Sequence, residues 1–222
     1  MKPWQIRFEE RLRSDAAPAV LSRDLLARMA RSARGGTGAP VSSLTHWIKA
    51  ACRSGKLQPV LRGLYLNRWR SRPGLAADAA PWLRTDAVVS LNTALADAGV
   101  LNNPTRIVTA VVPLDAGAPP PKLGRQLTRA GAFQFHGLPR RILEAGAVED
   151  RLEPAGRFEH ARATPEKALV DWLYLGASPR STRTLPPRGD MDLGLLNKTR
   201  LKKLALAAGV ADVLDGWMAG SG

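Results

Sequence analysis

A single cysteine, Cys52, among 222 residues excludes an intrachain disulfide and any zinc site built on paired cysteines. The three histidines, His46, His136 and His160, are scattered and show no metal-ligand spacing, so no metal or other cofactor is expected. No apolar run reaches the length of about 18 residues that a membrane-spanning helix needs, so no membrane partner is expected. The amino-terminal stretch MKPWQIRFEERLR lacks an apolar signal-peptide segment and carries acidic residues. These absences predict a soluble, cytoplasmic protein. Catalytic signatures are missing as well: there is no Gly-rich phosphate loop, no G-x-S-x-G elbow and no H-E-x-x-H.

Acidic residues are scarce, 19 against 33 Lys and Arg, and their scarcity is uneven. Residues 1–72 hold 15 Lys/Arg against 4 Asp/Glu, whereas residues 73–222 hold 18 against 15. Net charges of +11 and +3 make up the whole chain's +14. An Arg-rich composition by itself accounts for a high isoelectric point but not for this asymmetry. A concentrated positive excess attracts a polyanion, and release of condensed counterions makes nucleic acid the expected partner.

The basic section has a helix, helix, helix, ribbon pattern. Trp4 to Arg13 predicts a first helix, with Trp4, Ile6, Phe8 and Leu12 between charged positions. Ser22 is a suitable N-cap for a second helix containing Leu25, Leu26 and Met29. The Gly-rich loop Arg34–Pro40 breaks it, and Ser42 or Ser43 is expected to cap a third helix with Leu44, Trp47, Ile48 and Ala51 on its apolar face. The opposite face presents Ser43, His46, Lys49 and Arg53, side chains suited to phosphates and base edges. Trp47 and Tyr65 are read as core. Gly55 ends the helix, and Lys56 to Leu66 folds back as a β-ribbon with Arg62 at its tip, where an arginine can enter a narrow minor groove. This order is that of a winged helix-turn-helix, whose third helix lies in the major groove of double-stranded DNA. Winged helices also dock proteins, and the charge favours DNA.

The Trp69–Gly74 stretch marks a composition shift, giving a DNA-binding domain over 1–72 and a second domain over 73–222. In the second, Pro81–Gly99 reads as helix and Ile107–Val112 as a buried strand, with 115–121 a solvated loop. Phe133–His136, Arg141–Leu143 and Phe158–Ala161 read as short strands, the first two joined by a turn at Gly137-Leu138-Pro139. Thr164 is a natural N-cap for a helix with Pro165 at N1 and Glu166 in its first turn, and two more helices are expected around 199–208 and 210–218. Helices and strands alternating in this way predict an α/β (α+β) fold, the winged helix-turn-helix followed by a mixed α/β domain.

The acidic residues show no catalytic grouping. Asp190-x-Asp192 and Glu149-Asp150 lie in loop-like stretches, and Glu166 and Asp171 stand about 140° apart around one helix, so they read as surface charge and capping. The chain reads as a binder, not an enzyme.

The order of these motifs resembles the AbiEi-type antitoxins of type IV toxin–antitoxin systems. The resemblance is carried by LSRDLLARMA, RSGKLQPVLRGLYLN, VVSLNTALADAGV and RATPEKALVDWLYL, which together span most of residues 20–176. It implies a bipartite protein whose winged helix represses its own operon and whose carboxyl domain counters a nucleotidyltransferase-like toxin without a stable complex. Ser43, His46, Lys49, Arg53 and Arg62 fall where that family's DNA-contacting positions should lie, and Thr164–Asp171 carries no chemistry. Residues 177–222 match nothing in the pattern, and the Gly-rich loop departs from it. A stand-alone winged-helix regulator whose α/β domain senses a ligand or partner fits the same residues, and a metal-dependent nuclease is a third reading.

Overall fold

A computed structural model describes residues 3–36, 41–103, 106–179 and 181–220. The chain divides into two compact units, one of Met1–Ala79 with Leu127–Gly131, the other of Ala80–Gln126 with Ala132–Gly222. The first therefore runs past Arg72 and takes in a short piece of later sequence. Helices and strands alternate in both, with one antiparallel and one mixed sheet, an α/β fold.

The first unit opens with α1 (Pro3–Arg13), followed by β1 (Val20–Ser22), α2 (Arg23–Ala33), α3 (Val41–Arg53), β2 (Leu57–Leu61) and β3 (Leu64–Asn67). Trp4, Phe8 and Leu12 recur every four residues and bury one stripe of α1, which leaves Ile6 on the exposed side. That stripe meets Leu26 and Ala30 of α2 and Leu44, Trp47, Ile48 and Ala51 of α3 in one core. Phe8 and Trp47 pack edge to face with centroids 4.8 Å apart, and the indole Nε1 of Trp47 donates to Glu9 Oε1 at 2.9 Å, satisfying a buried polar group. Ser22 caps α2 as expected, accepting from the Leu25 amide. Ser42 and Ser43 do not cap α3, because the helix already begins at Val41; most of the expected loop, residues 37–40, lies outside the described residues. Strands β1, β3 and β2 form an antiparallel sheet in that order. The three-residue β1 was invisible to periodicity, since it runs straight into α2.

The second unit contains α4 (Ala80–Leu83), β4 (Val88–Val89), α5 (Leu91–Asp97), β5 (Ile107–Leu114), β6 (Gly124–Thr128, its last two residues in the first unit), β7 (Gly131–Pro139), α6 (Arg140–Leu143), α7 (Val148–Arg151), α8 (Pro165–Ala177), α9 (Lys198–Ala208) and α10 (Ala211–Ala219). Its sheet runs β4-β5-β7-β6, with β4 antiparallel and β7 parallel to β5. One helix over Pro81–Gly99 is not what forms. Val89 exchanges backbone hydrogen bonds with Ala161 and Ala163, which holds 88–89 extended, so Val88 belongs to a strand and the helix restarts at Leu91. Pairing with distant sequence overrides local helical spacing here.

Gly137-Leu138-Pro139 is likewise no turn but the end of β7, with Gly137 opposite Val112. A β-carbon on Gly137 would stand 2.8 Å from the Leu114 side chain, so glycine serves close packing at this position. Arg141–Leu143 forms a helical turn that buries Ile142, not a strand, and Phe158–Ala161 is irregular, the pairing falling on Arg162 and Ala163 instead. Helix α8 starts as expected, with Thr164 accepting from the Lys167 amide and Pro165 in the first turn. It carries nine buried residues, among them Leu169, Trp172 and Leu173, and forms the centre of the core with α5, α9 and α10. Gly209, left-handed at φ 69°, ends α9 and lets the chain turn into α10.

Candidate nucleic-acid interface

The exposed face of α3 is set by what its other face buries. Leu44, Trp47, Ile48 and Ala51 point into the core, so His46, Lys49 and Arg53 face solvent. Arg23, at the start of α2, ties α3 in place by donating to Thr45 Oγ1 at 3.1 Å. Beyond α3, Gly55 adopts φ 73° and turns the chain into β2. The β2–β3 turn places Arg62 at its tip beside Gly63, whose carbonyl accepts from the Arg23 amide at 2.8 Å.

His46, Lys49, Arg53 and Arg62 all border one open groove of about 990 Å³ between α3 and the β2–β3 ribbon. Ser43 sits half-buried in the first turn of α3, outside that groove. Tyr65 and Cys52, both half-buried, line the groove as well. Burial raises the Cys52 thiol pKa against the opposing pull of Arg129, and raises that of the Tyr65 phenol too, so both stay neutral at physiological pH. No ion pair or hydrogen bond engages Lys49, Arg53 or Arg62 among the described residues. Their charges are free for an external anion.

Sequence reasoning missed one cation of this groove. Arg129 lines it from the Leu127–Gly131 segment, and its backbone amide donates to the Val60 carbonyl of β2 at 3.1 Å. Nothing local signals this, because the residue lies 67 positions beyond Arg62 and reaches the ribbon only through tertiary structure.

Several other basic residues of the unit are structural. Arg7 donates to the Ala33 carbonyl, Arg68 to that of Gly74 and Arg70 to that of Asp15, while Arg13 and Lys56 lie over the Trp69 ring at 4.1 and 3.7 Å. Lys56 also pairs with Glu9 at 3.6 Å, whereas the carbonyl of Ala33 and the Trp69 ring orient Arg7 and Arg13 without offsetting their charge.

Four of the six carboxylates considered for catalysis, Glu166, Asp171, Asp150 and Asp192, have partners. Glu166 and Asp171 are buried, which corrects their reading as surface charge. Glu166 accepts from the Asn197 amide at 2.8 Å and pairs with Arg200 at 3.5 Å, fastening α8 to the start of α9. Asp171 pairs with Lys167 and accepts from Ser90 Oγ at 2.8 Å. Asp150 faces Arg200 and Lys203, and Asp192 accepts from the Gly194 amide. No group of three or more His, Cys, Asp or Glu suited to a metal occurs among the described residues. No described helix is long and apolar enough to cross a membrane.

No protein family and no curated protein matches this chain. Among solved structures, the chain is similar to the RV2827C protein from Mycobacterium tuberculosis, with a TM-score of 0.54 and 16% identity over 96% of this chain and 78% of that one. At that identity the likeness concerns the fold.

Proposed function

We propose that this protein is a DNA-binding antitoxin that represses its own operon and counteracts a nucleotidyltransferase-like toxin. The observation that carries the DNA half is the convergence of free cations. Lys49 and Arg53 on α3 and Arg62 on the ribbon, with His46 beside them, border one groove in a unit whose first 72 residues carry a net +11. The order α1-β1-α2-α3-β2-β3 with sheet order β1-β3-β2 supports reading that unit as a winged helix-turn-helix. In this reading α3 enters the major groove, where Lys49 and Arg53 reach guanine or phosphate. Arg62 follows the backbone or the adjacent minor groove. Operator occupancy then occludes the promoter. Ser43, half-buried at the start of α3, is left a positioning role at the edge of this surface.

The antitoxin half rests on the motif resemblance. The second unit supports a binding rather than a catalytic role, since its buried carboxylates are committed to ion pairs and caps. Growth of cells expressing the adjacent co-transcribed gene, with and without this chain supplied in trans, tests it. Arrest relieved by the chain is the expected result. A harmless neighbour would leave a plain transcriptional regulator. A reporter fused to the chain's own promoter tests the other half: Arg53→Ala and Arg62→Ala are expected to derepress it, and unchanged repression by both would remove the DNA assignment.

A further inference from the structure

The second unit contains a half-buried cation that none of the preceding roles uses. The register of β5 and β7 sets Thr109 beside Gln134, and both line a cavity of about 370 Å³ whose other walls are Asn92 of α5, Trp172 of α8 and residues 182–184. Arg183 is fixed within it. Its guanidinium lies over the Trp172 ring at 4.1 Å, Nη1 meets His136 Nε2 at 3.3 Å and Nη2 donates to Asn92 Oδ1. The segment is pinned in turn by the Trp172 indole, which donates to the Thr184 carbonyl at 2.9 Å.

None of these partners carries a negative charge. No described carboxylate pairs with Arg183, and its Nε is buried without an acceptor. His136 does not supply the deficit: burial and the neighbouring guanidinium lower its pKa to about 4, so it is neutral at pH 7. Burial lowers Arg183 itself only to about 10, so the guanidinium stays charged. A half-buried, oriented guanidinium with one buried N–H lacking an acceptor and no counter-ion is a site that an anion would complete.

We infer that this cavity is a binding site for a small organic ligand bearing an oxyanion, phosphate or carboxylate, seated on Arg183. The planar guanidinium suits either group, and the Thr182 and Thr184 hydroxyls with the Gln134 amide supply neutral hydrogen-bonding groups around it. The cavity exceeds a bare phosphate and lies within the range of small-molecule sites, so the ligand carries a body beyond its anion. The inference does not depend on the DNA reading.

The test is a titration of the full chain with inorganic phosphate and, separately, with acetate at constant ionic strength, following the melting temperature and the heat of binding. A saturable response to either anion is expected, and which anion elicits it identifies the ligand's charged group. Arg183→Gln should weaken binding roughly tenfold or more, the scale of a lost charge-assisted contact. Thr182→Val, on the exposed lip, should weaken it less while leaving the fold and melting temperature without anion unchanged. Arg62→Ala should bind as wild type does. No saturable response to either anion would overturn the inference. So would a wild-type response in Arg183→Gln or in Thr182→Val, or loss of response in Arg62→Ala, which would assign the anion to the basic groove.

Discussion

At the residue scale, the second unit depends on charges that it buries. Lys167 and Asp171 pair one turn apart within α8, and Lys167 Nζ also donates to the Ile142 carbonyl at 3.1 Å. Burial raises the Asp171 carboxyl pKa against the opposing pull of Lys167 and Ser90. Asp171→Ala leaves an ammonium with one carbonyl in a dry core, and it is expected to cost about 3–5 kcal/mol in urea unfolding. A cost below about 1 kcal/mol would contradict that account. His136 gives a second prediction. Its pKa is about 4 in the folded chain against the ordinary 6.5, so the unfolded chain binds a proton first as pH falls. The stability it contributes is complete above pH 6.5 and declines toward pH 4, by up to about 3 kcal/mol. His136→Asn should therefore lose less stability than wild type between pH 7.5 and pH 4.5; equal losses would exclude the histidine as a source.

At the scale of elements, what was legible in the sequence is what local chemistry determines. The stripe on α3, the Ser22 and Thr164 caps, the Ile107 strand and the Gly209 break depend on neighbours within a few residues, and each appears in the structure. Three of the failures share one cause. Val88–Val89, Arg141–Leu143 and Gly137 take their conformations from partners far away in sequence: the 161–163 segment, the Lys167 ammonium on the Ile142 carbonyl, and Leu114. The candidate interface divides in the same way. His46, Lys49 and Arg53 follow from helical spacing and Arg62 from the ribbon turn, whereas Arg129 reaches the groove only through folding. If Arg129 takes part in DNA contact, Arg129→Ala should lower the salt sensitivity of binding as the α3 substitutions do. Wild-type salt sensitivity would confine contact to the first 72 residues.

At the scale of the molecule, a strongly basic unit is joined in one chain to a nearly balanced one built around α8. The division suits a protein whose addressing and effector functions are separate, and it predicts that they fail separately. Arg53→Ala and Arg62→Ala should release the promoter yet preserve relief of growth arrest, while Asp171→Ala, by destabilising the second unit, should impair relief. Loss of relief in a folded Arg53→Ala protein would contradict the separation.

The central claim is that the α3–ribbon groove binds the DNA backbone electrostatically. The most direct measurement is the dependence of log Kd on log salt concentration for the chain on its own promoter DNA, wild type against Lys49→Ala, Arg53→Ala and Arg62→Ala. Each substitution that removes a phosphate contact is predicted to weaken binding and to flatten the slope by about 0.9. Wild-type affinity and slope in all three variants would contradict the account.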